Sequence, residues 1–132
     1  MSATLALKHV SKFFGGLAAN SDISFAMEPG MIKGLIGPNG AGKTTLFNCI
    51  TGYYPPSRGE IFFKGHPITG LQPDRVCRLG MARTWQKVRP LVKMTVLDNV
   101  MVGALCRTDS LAKARNIAME QLSVVGMEQK TH

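Results

Sequence analysis

The stretch MIKGLIGPNGAGKTTLFNCITG constrains this chain more than any other, because a short apolar run passes without a break into a glycine-rich segment and then into a helical pattern. Leu35 and Ile36 lie in that apolar run, which reads as a strand buried on both faces. From Lys43 onward, Leu46, Phe47 and Ile50 recur at helical spacing, and Gly52 with Pro55 and Pro56 stop the helix. Between strand and helix, Gly37, four further residues, then Gly42, Lys43 and Thr44 spell GxxxxGKT, the P-loop or Walker A pattern. A polyphosphate has to be wrapped by consecutive backbone N–H groups. Gly37, Gly40 and Gly42 permit the backbone angles and the close approach that a Cβ would obstruct. The helix start aims its unsatisfied donors and the positive end of its dipole at the same anion. Lys43 adds a mobile point charge for the β- and γ-phosphates, and the Thr44 hydroxyl suits Mg²⁺.

The flanking sequence supplies further elements. ATLALKHVSKFF alternates apolar and polar residues at Leu5 and Leu7, then less strictly through Val10 and Phe13, as a half-buried strand does ahead of the GG turn. A second strand is expected in SDISFAM, where Ile23, Phe25 and Met27 share a face before the turn at Pro29 and Gly30. Farther on, Thr95 followed by Asp98 marks a helix start, with Val96, Leu97, Val100, Met101, Ala104 and Leu105 as its apolar face. After a polar connection, Leu111, Ala114, Ala118, Leu122 and Val125 form a narrower stripe that Gly126 ends.

Composition narrows the function classes. With 45% hydrophobic and 18% charged residues the 132-residue chain is that of a folding protein, with no apolar run of membrane-spanning length and no leader pattern. Cys49, Cys77 and Cys106 are odd in number and far apart, so they write neither a metal or redox CxxC pair nor a disulfide framework. The net charge of +8 suits phosphate ligands, nucleic acid or an anionic membrane, yet the basic residues form no run and accompany no nucleic-acid-binding motif.

The P-loop alone does not choose among transporter ATPases, kinases, GTPases and helicases. The residues around it resemble the ATP-binding subunits of ABC transporters: LIGPNGAGKTTLFNCITGYYPPSRGEIFFKG, PDRVCRLGMARTWQ and MTVLDNV carry the resemblance over essentially the whole chain. The FGGLAA opening, LFN after the loop, RTWQ and MTVLDNV are most similar to the branched-chain amino acid importer subfamily. The resemblance implies an α/β fold: a P-loop NTPase core with an antiparallel β subdomain and the start of a helical subdomain. It places the core in residues 1–93 and the helical start in 94–132. It further implies that Phe14, just before Gly15, stacks on adenine; that Asn39, Gly40, Ala41 and Gly42 present backbone amides; and that Thr45 meets the α-phosphate. Gln86 matches the Q-loop glutamine, which approaches Mg²⁺ and the attacking water and couples the site to a membrane partner. The family commonly has phenylalanine at the position where this chain has Trp85.

ATP and Mg²⁺ are thus the expected cofactors, with Lys43 and Gln86 the expected catalytic residues. Expected partners are transmembrane permease subunits and a second ATP-binding subunit, with no nucleic acid, at the inner face of the plasma membrane. The family pattern continues with an LSGGQ-type signature loop, a Walker B aspartate and a catalytic glutamate, and these 132 residues contain no SGG and no apolar run followed by Asp and Glu. The expectation is therefore an amino-terminal, truncated portion that hydrolyses no ATP alone. Two alternatives stay open: another P-loop NTPase, which would need its own base-recognition motif and shows no NKxD, or a basic nucleic-acid-binding module.

Overall fold

The apolar-polar alternation of LALKHVSKFF builds β1 (Leu5–Phe14), which pairs antiparallel with β2 (Leu17–Met27) across the turn at Gly15 and Gly16. The imperfect alternation has a structural cause. Leu7 and Val10 are both buried although three residues apart, because the register shifts between them and His9 takes a positive φ of 52°. One extra residue resets the phase of the strand and returns Val10 to the core face. The other edge of β1 pairs antiparallel with β3 (Arg58–Phe63), which turns at Lys64 and Gly65, both with positive φ, into the short β4 (His66–Pro67). The sheet runs β2-β1-β3-β4.

Helix α1 (Lys43–Ile50) lays Leu46 and, one helical turn on, Cys49 and Ile50 into a core with Leu7, Val10, Ile61, Phe63 and Ile68. A short α2 (Pro73–Arg78), begun by proline in its first turn, contributes Val76 to the same core. These elements form one compact unit ending at Ala82, and the chain from Arg83 onward forms a second. The computed structural model describes residues 3–131.

The strand expected over MIKGLIG is not formed. Residues 31–38 have no ladder partner among the described residues, and Ile32 and Ile36 are 98% and 95% exposed. A strand of this type is held by hydrogen-bonded neighbours on both sides and cannot form alone, however apolar its sequence. The sheet of the described residues is accordingly all antiparallel.

In the second unit α3 (Val96–Ala104) and α4 (Leu111–Val124) pack through Leu97, Ala118 and Leu122, with Val96, Val100, Met101 and Met119 around them. Of the expected stripes, Leu105, Leu111 and Val125 are exposed instead. Both expected boundaries are present. Thr95 Oγ1 accepts from the Asp98 amide at 3.1 Å while Asp98 Oδ2 accepts from the Thr95 amide at 3.3 Å, a complete capping box. At the other end Gly126 has φ 67°, its N–H donates to Ser123 O, and the Met127 N–H reaches back to Leu122 O at 2.8 Å. That pair of bonds is the Schellman arrangement, which satisfies two orphan carbonyls of α4.

Candidate phosphate-binding loop

Residues 37–42 link the extended segment to α1 in a tight turn in which the Ala41 N–H donates to Pro38 O at 3.2 Å. Gly42 is both the last loop residue and the N-cap of α1, in the left-handed region at φ 84°. A Cβ there would lie 2.0 Å from Ala19 O and 2.6 Å from Asn20 Nδ2, so glycine is required twice over, by conformation and by contact with β2. The Leu46 N–H donates to Gly42 O at 2.9 Å and starts the helical ladder.

The start of α1 is built for an anion. Gly42 offers no side chain to cap the first N–H groups, and the first turn holds no acidic residue. Helices are commonly capped by Ser, Thr, Asp or Asn, as α3 and α4 are here by Thr95 and Ser110. Lys43 folds back over the loop, its Nζ donating to Gly37 O at 2.5 Å and Pro38 O at 2.7 Å. An ammonium resting on two neutral carbonyls can exchange them for charged phosphate oxygens, with which it forms stronger bonds. Asn39, Gly40, Ala41 and Thr44 are exposed, and Thr45 is half-buried beside them. Glycine cradle, uncapped helix start and ammonium thus fit a polyphosphate.

Phe14 ends β1 with 43% of its surface exposed. One edge contact to Tyr54, with ring centroids 5.4 Å apart, and the Lys12 ammonium 5.1 Å from its centroid orient the ring. Lys12 is itself held by Pro55 O at 2.8 Å. The Cys49 thiol behind this cluster is pushed above its ordinary range by burial, against a smaller downward pull from Lys12. Gln86 lies in the second unit, exposed on irregular chain ahead of α3, with the Arg83 guanidinium over the neighbouring Trp85 ring at 4.1 Å.

Two residues escaped the sequence reading. Asn20 is 8% exposed on β2 and donates through Nδ2 to Gly42 O at 3.1 Å; it opens the polar run Asn20-Ser21-Asp22, so nothing local in the sequence marks it as buried. Asn99 ties the chain ahead of α3, accepting from the Leu91 N–H at 2.8 Å and donating to Thr95 O at 2.9 Å, with longer contacts to Leu91 O and Met94 O.

Residues 20–132 match the ABC transporter family model. Among curated proteins, the chain is 45% identical over 99 residues to the probable branched-chain amino acid transport ATP-binding protein LivG of Archaeoglobus fulgidus, covering 75% of this chain and 38% of that protein. It is 39% identical over 119 residues to the high-affinity branched-chain amino acid transport ATP-binding protein LivG of Escherichia coli, covering 82% of this chain and 47% of that one. Among solved structures, the ADP conformation of an ATP-binding cassette of an ABC transporter superposes with a TM-score of 0.83 at 28% identity, over 99% of this chain and 57% of that one. A nucleotide-free ATP-binding cassette superposes equally well, with a TM-score of 0.83 at 28% identity over 98% of this chain and 56% of that one. The chain therefore spans about half the length of the relatives it matches.

Proposed function

The chain belongs to the ABC transporter family, and from that premise we propose that it is the amino-terminal portion of an ATP-binding subunit that drives import of branched-chain amino acids. The observation that carries the ATP-binding reading is the uncapped start of α1 beneath a glycine loop, with the Lys43 ammonium parked on loop carbonyls. The amides of Asn39 to Gly42 and the first N–H groups of α1 hold the phosphates, Thr45 meeting the one nearest the ribose. Lys43 leaves Gly37 O and Pro38 O for the terminal phosphates. Phe14, already fixed on one side by Lys12 and Tyr54, offers its open face to the adenine ring.

No group of three His, Cys, Asp or Glu side chains gathers among the described residues. By the resemblance to ABC ATP-binding subunits, the Thr44 hydroxyl and the Gln86 amide are the side chains that would help hold Mg²⁺, whose chemistry when bound would be to neutralise charge developing on the phosphates. Residues 1–93, Gln86 included, serve as nucleotide-binding core and 94–132 open the helical subdomain, with Gln86 coupling the site to a permease. The partners of this reading are permease subunits and a second ATP-binding subunit, at the cytoplasmic face of the membrane. Among the described residues no helix is long and apolar enough to cross that membrane. The substrate class rests on the similarity to the LivG proteins.

Titration of the 132-residue chain with a fluorescent ATP analogue and Mg²⁺ tests the reading, with an oligonucleotide titrated in parallel. Saturable ATP binding that Lys43→Ala weakens at least about tenfold supports it. Oligonucleotide affinity that falls steeply with salt and ignores both ATP and Lys43 would replace it with a nucleic-acid-binding module.

A further inference from the structure

Asn20 is poorly explained by the fold alone. Its Nδ2 has a partner in Gly42 O, but its Oδ1 is buried with none. The amide orientation is fixed by that partner, since exchanging the two ends would set oxygen against oxygen. A buried acceptor without a donor is a standing cost to the folded state, and a leucine, which has the same branched shape with larger apolar ends, would remove it. What the amide gives in return lies at the phosphate loop.

Gly42 O accepts two hydrogen bonds, 2.9 Å from the Leu46 N–H along the helix and 3.1 Å from Asn20 Nδ2 across from β2. This carbonyl shares its peptide unit with the Lys43 N–H, the first and uncapped donor of α1. Donors pulling on the oxygen of a peptide polarise the unit and strengthen its N–H as a donor. The same bond pins the Gly42 peptide at the point where the loop already touches Ala19 O.

We infer that Asn20 is a positioning residue for the phosphate loop: it clamps the Gly42–Lys43 peptide to β2 and sharpens the Lys43 amide for an anion, at the cost of one unpaired buried oxygen. The inference rests on the reading of residues 37–45 as the phosphate site. It gives Asn20 a signature that a packing role lacks, because loop affinity and unliganded stability move apart when the amide is replaced.

The test uses the 132-residue chain and pyrophosphate as probe, beside ADP. Asn20→Leu is expected to bind both about three- to tenfold more weakly, with an unliganded melting temperature equal to or above that of the parent chain. The Lys43 backbone amide nitrogen resonance is expected upfield, its peptide having lost a hydrogen bond at the carbonyl. Should Asn20→Leu not fold, Asn20→Ala carries the same expected loss of affinity and the same resonance shift. Unchanged pyrophosphate affinity in a folded variant overturns the proposal, and so does an affinity loss without the amide shift. If the parent chain binds pyrophosphate, Lys43→Ala abolishes this, and Asn20→Leu keeps it, the positioning role alone is lost. If the parent chain binds neither probe, the phosphate-site reading falls and takes this one with it.

Discussion

Two loop glycines separate backbone conformation from contact at the scale of the single residue. Gly40 and Gly42 have nearly the same φ, 85° and 84°, but a Cβ on Gly40 meets nothing within 4 Å whereas one on Gly42 collides with Ala19 O. Gly40→Ala is expected to cost only the left-handed strain, about 1 kcal/mol, and Gly42→Ala more than about 3 kcal/mol, because β2 or the loop must also move. Thermal or urea unfolding of the two variants checks this, and equal midpoints would mean that the loop does not rest on β2 in solution. Cys49 makes a second residue-scale case. Burial raises its thiol above the ordinary value, and Lys12 only partly opposes the shift. A group whose folded-state value is raised contributes stability that is whole below the unfolded value and is lost as pH climbs through the folded one. Stability is therefore expected to fall on the alkaline side of the normal thiol range, less so in Cys49→Ala once its constant packing loss is subtracted. Iodoacetamide is expected to alkylate Cys49 after Cys77 and Cys106, which are not fully buried. Alkylation of Cys49 first would contradict its placement against the sheet.

The elements separate what sequence discloses from what it hides. Boundaries were legible wherever a local device sets them: the Thr95–Asp98 capping box, the Gly126 termination and the switch from glycine loop to helix at Lys43 each need only a few consecutive residues. RGEIFF hides its strand, because glycine and two charges mask the inward Ile61 and Phe63, and β4 is too short to show any period. The Asn20–Gly42 bond joins residues 22 apart and has no local trace at all. The start of α3 makes these devices measurable. Thr95→Ala removes one half of the capping box and is expected to destabilise the helix pair by about 1 kcal/mol. Asn99→Ala acts differently, freeing the chain ahead of the helix rather than the helix itself. Its expected mark is faster hydrogen exchange at the Leu91 amide, which donates to Asn99 Oδ1, with the α4 amides unchanged. Equal acceleration in both places would show that Asn99 supports the whole helix pair.

For the whole molecule, the one element that sequence placed and the structure leaves unformed is also the one whose requirements are least local. MIKGLIG has the composition of a doubly buried strand, yet composition fixes only what such a segment needs, which is backbone partners and apolar cover on both faces. Among the described residues nothing supplies either, so Ile32 and Ile36 stand in water immediately before a loop whose other end is anchored on β2. Two apolar side chains with no contacts to lose contribute nothing to the folding of this unit, while they offer an adhesive patch to other molecules. The paired substitution Ile32→Ser and Ile36→Ser is therefore expected to leave the unfolding midpoint of the 132-residue chain within about 0.5 kcal/mol of the parent. It is also expected to lower its binding of a hydrophobic dye and its concentration-dependent light scattering. Burial of the pair would reverse the pattern: each Ile→Ser would then cost about 2 kcal/mol or more from lost transfer energy and an unpaired hydroxyl. A large drop in the midpoint with unchanged dye binding would thus show that the segment finds its partners in solution, and that the phosphate loop is braced from both ends rather than from β2 alone.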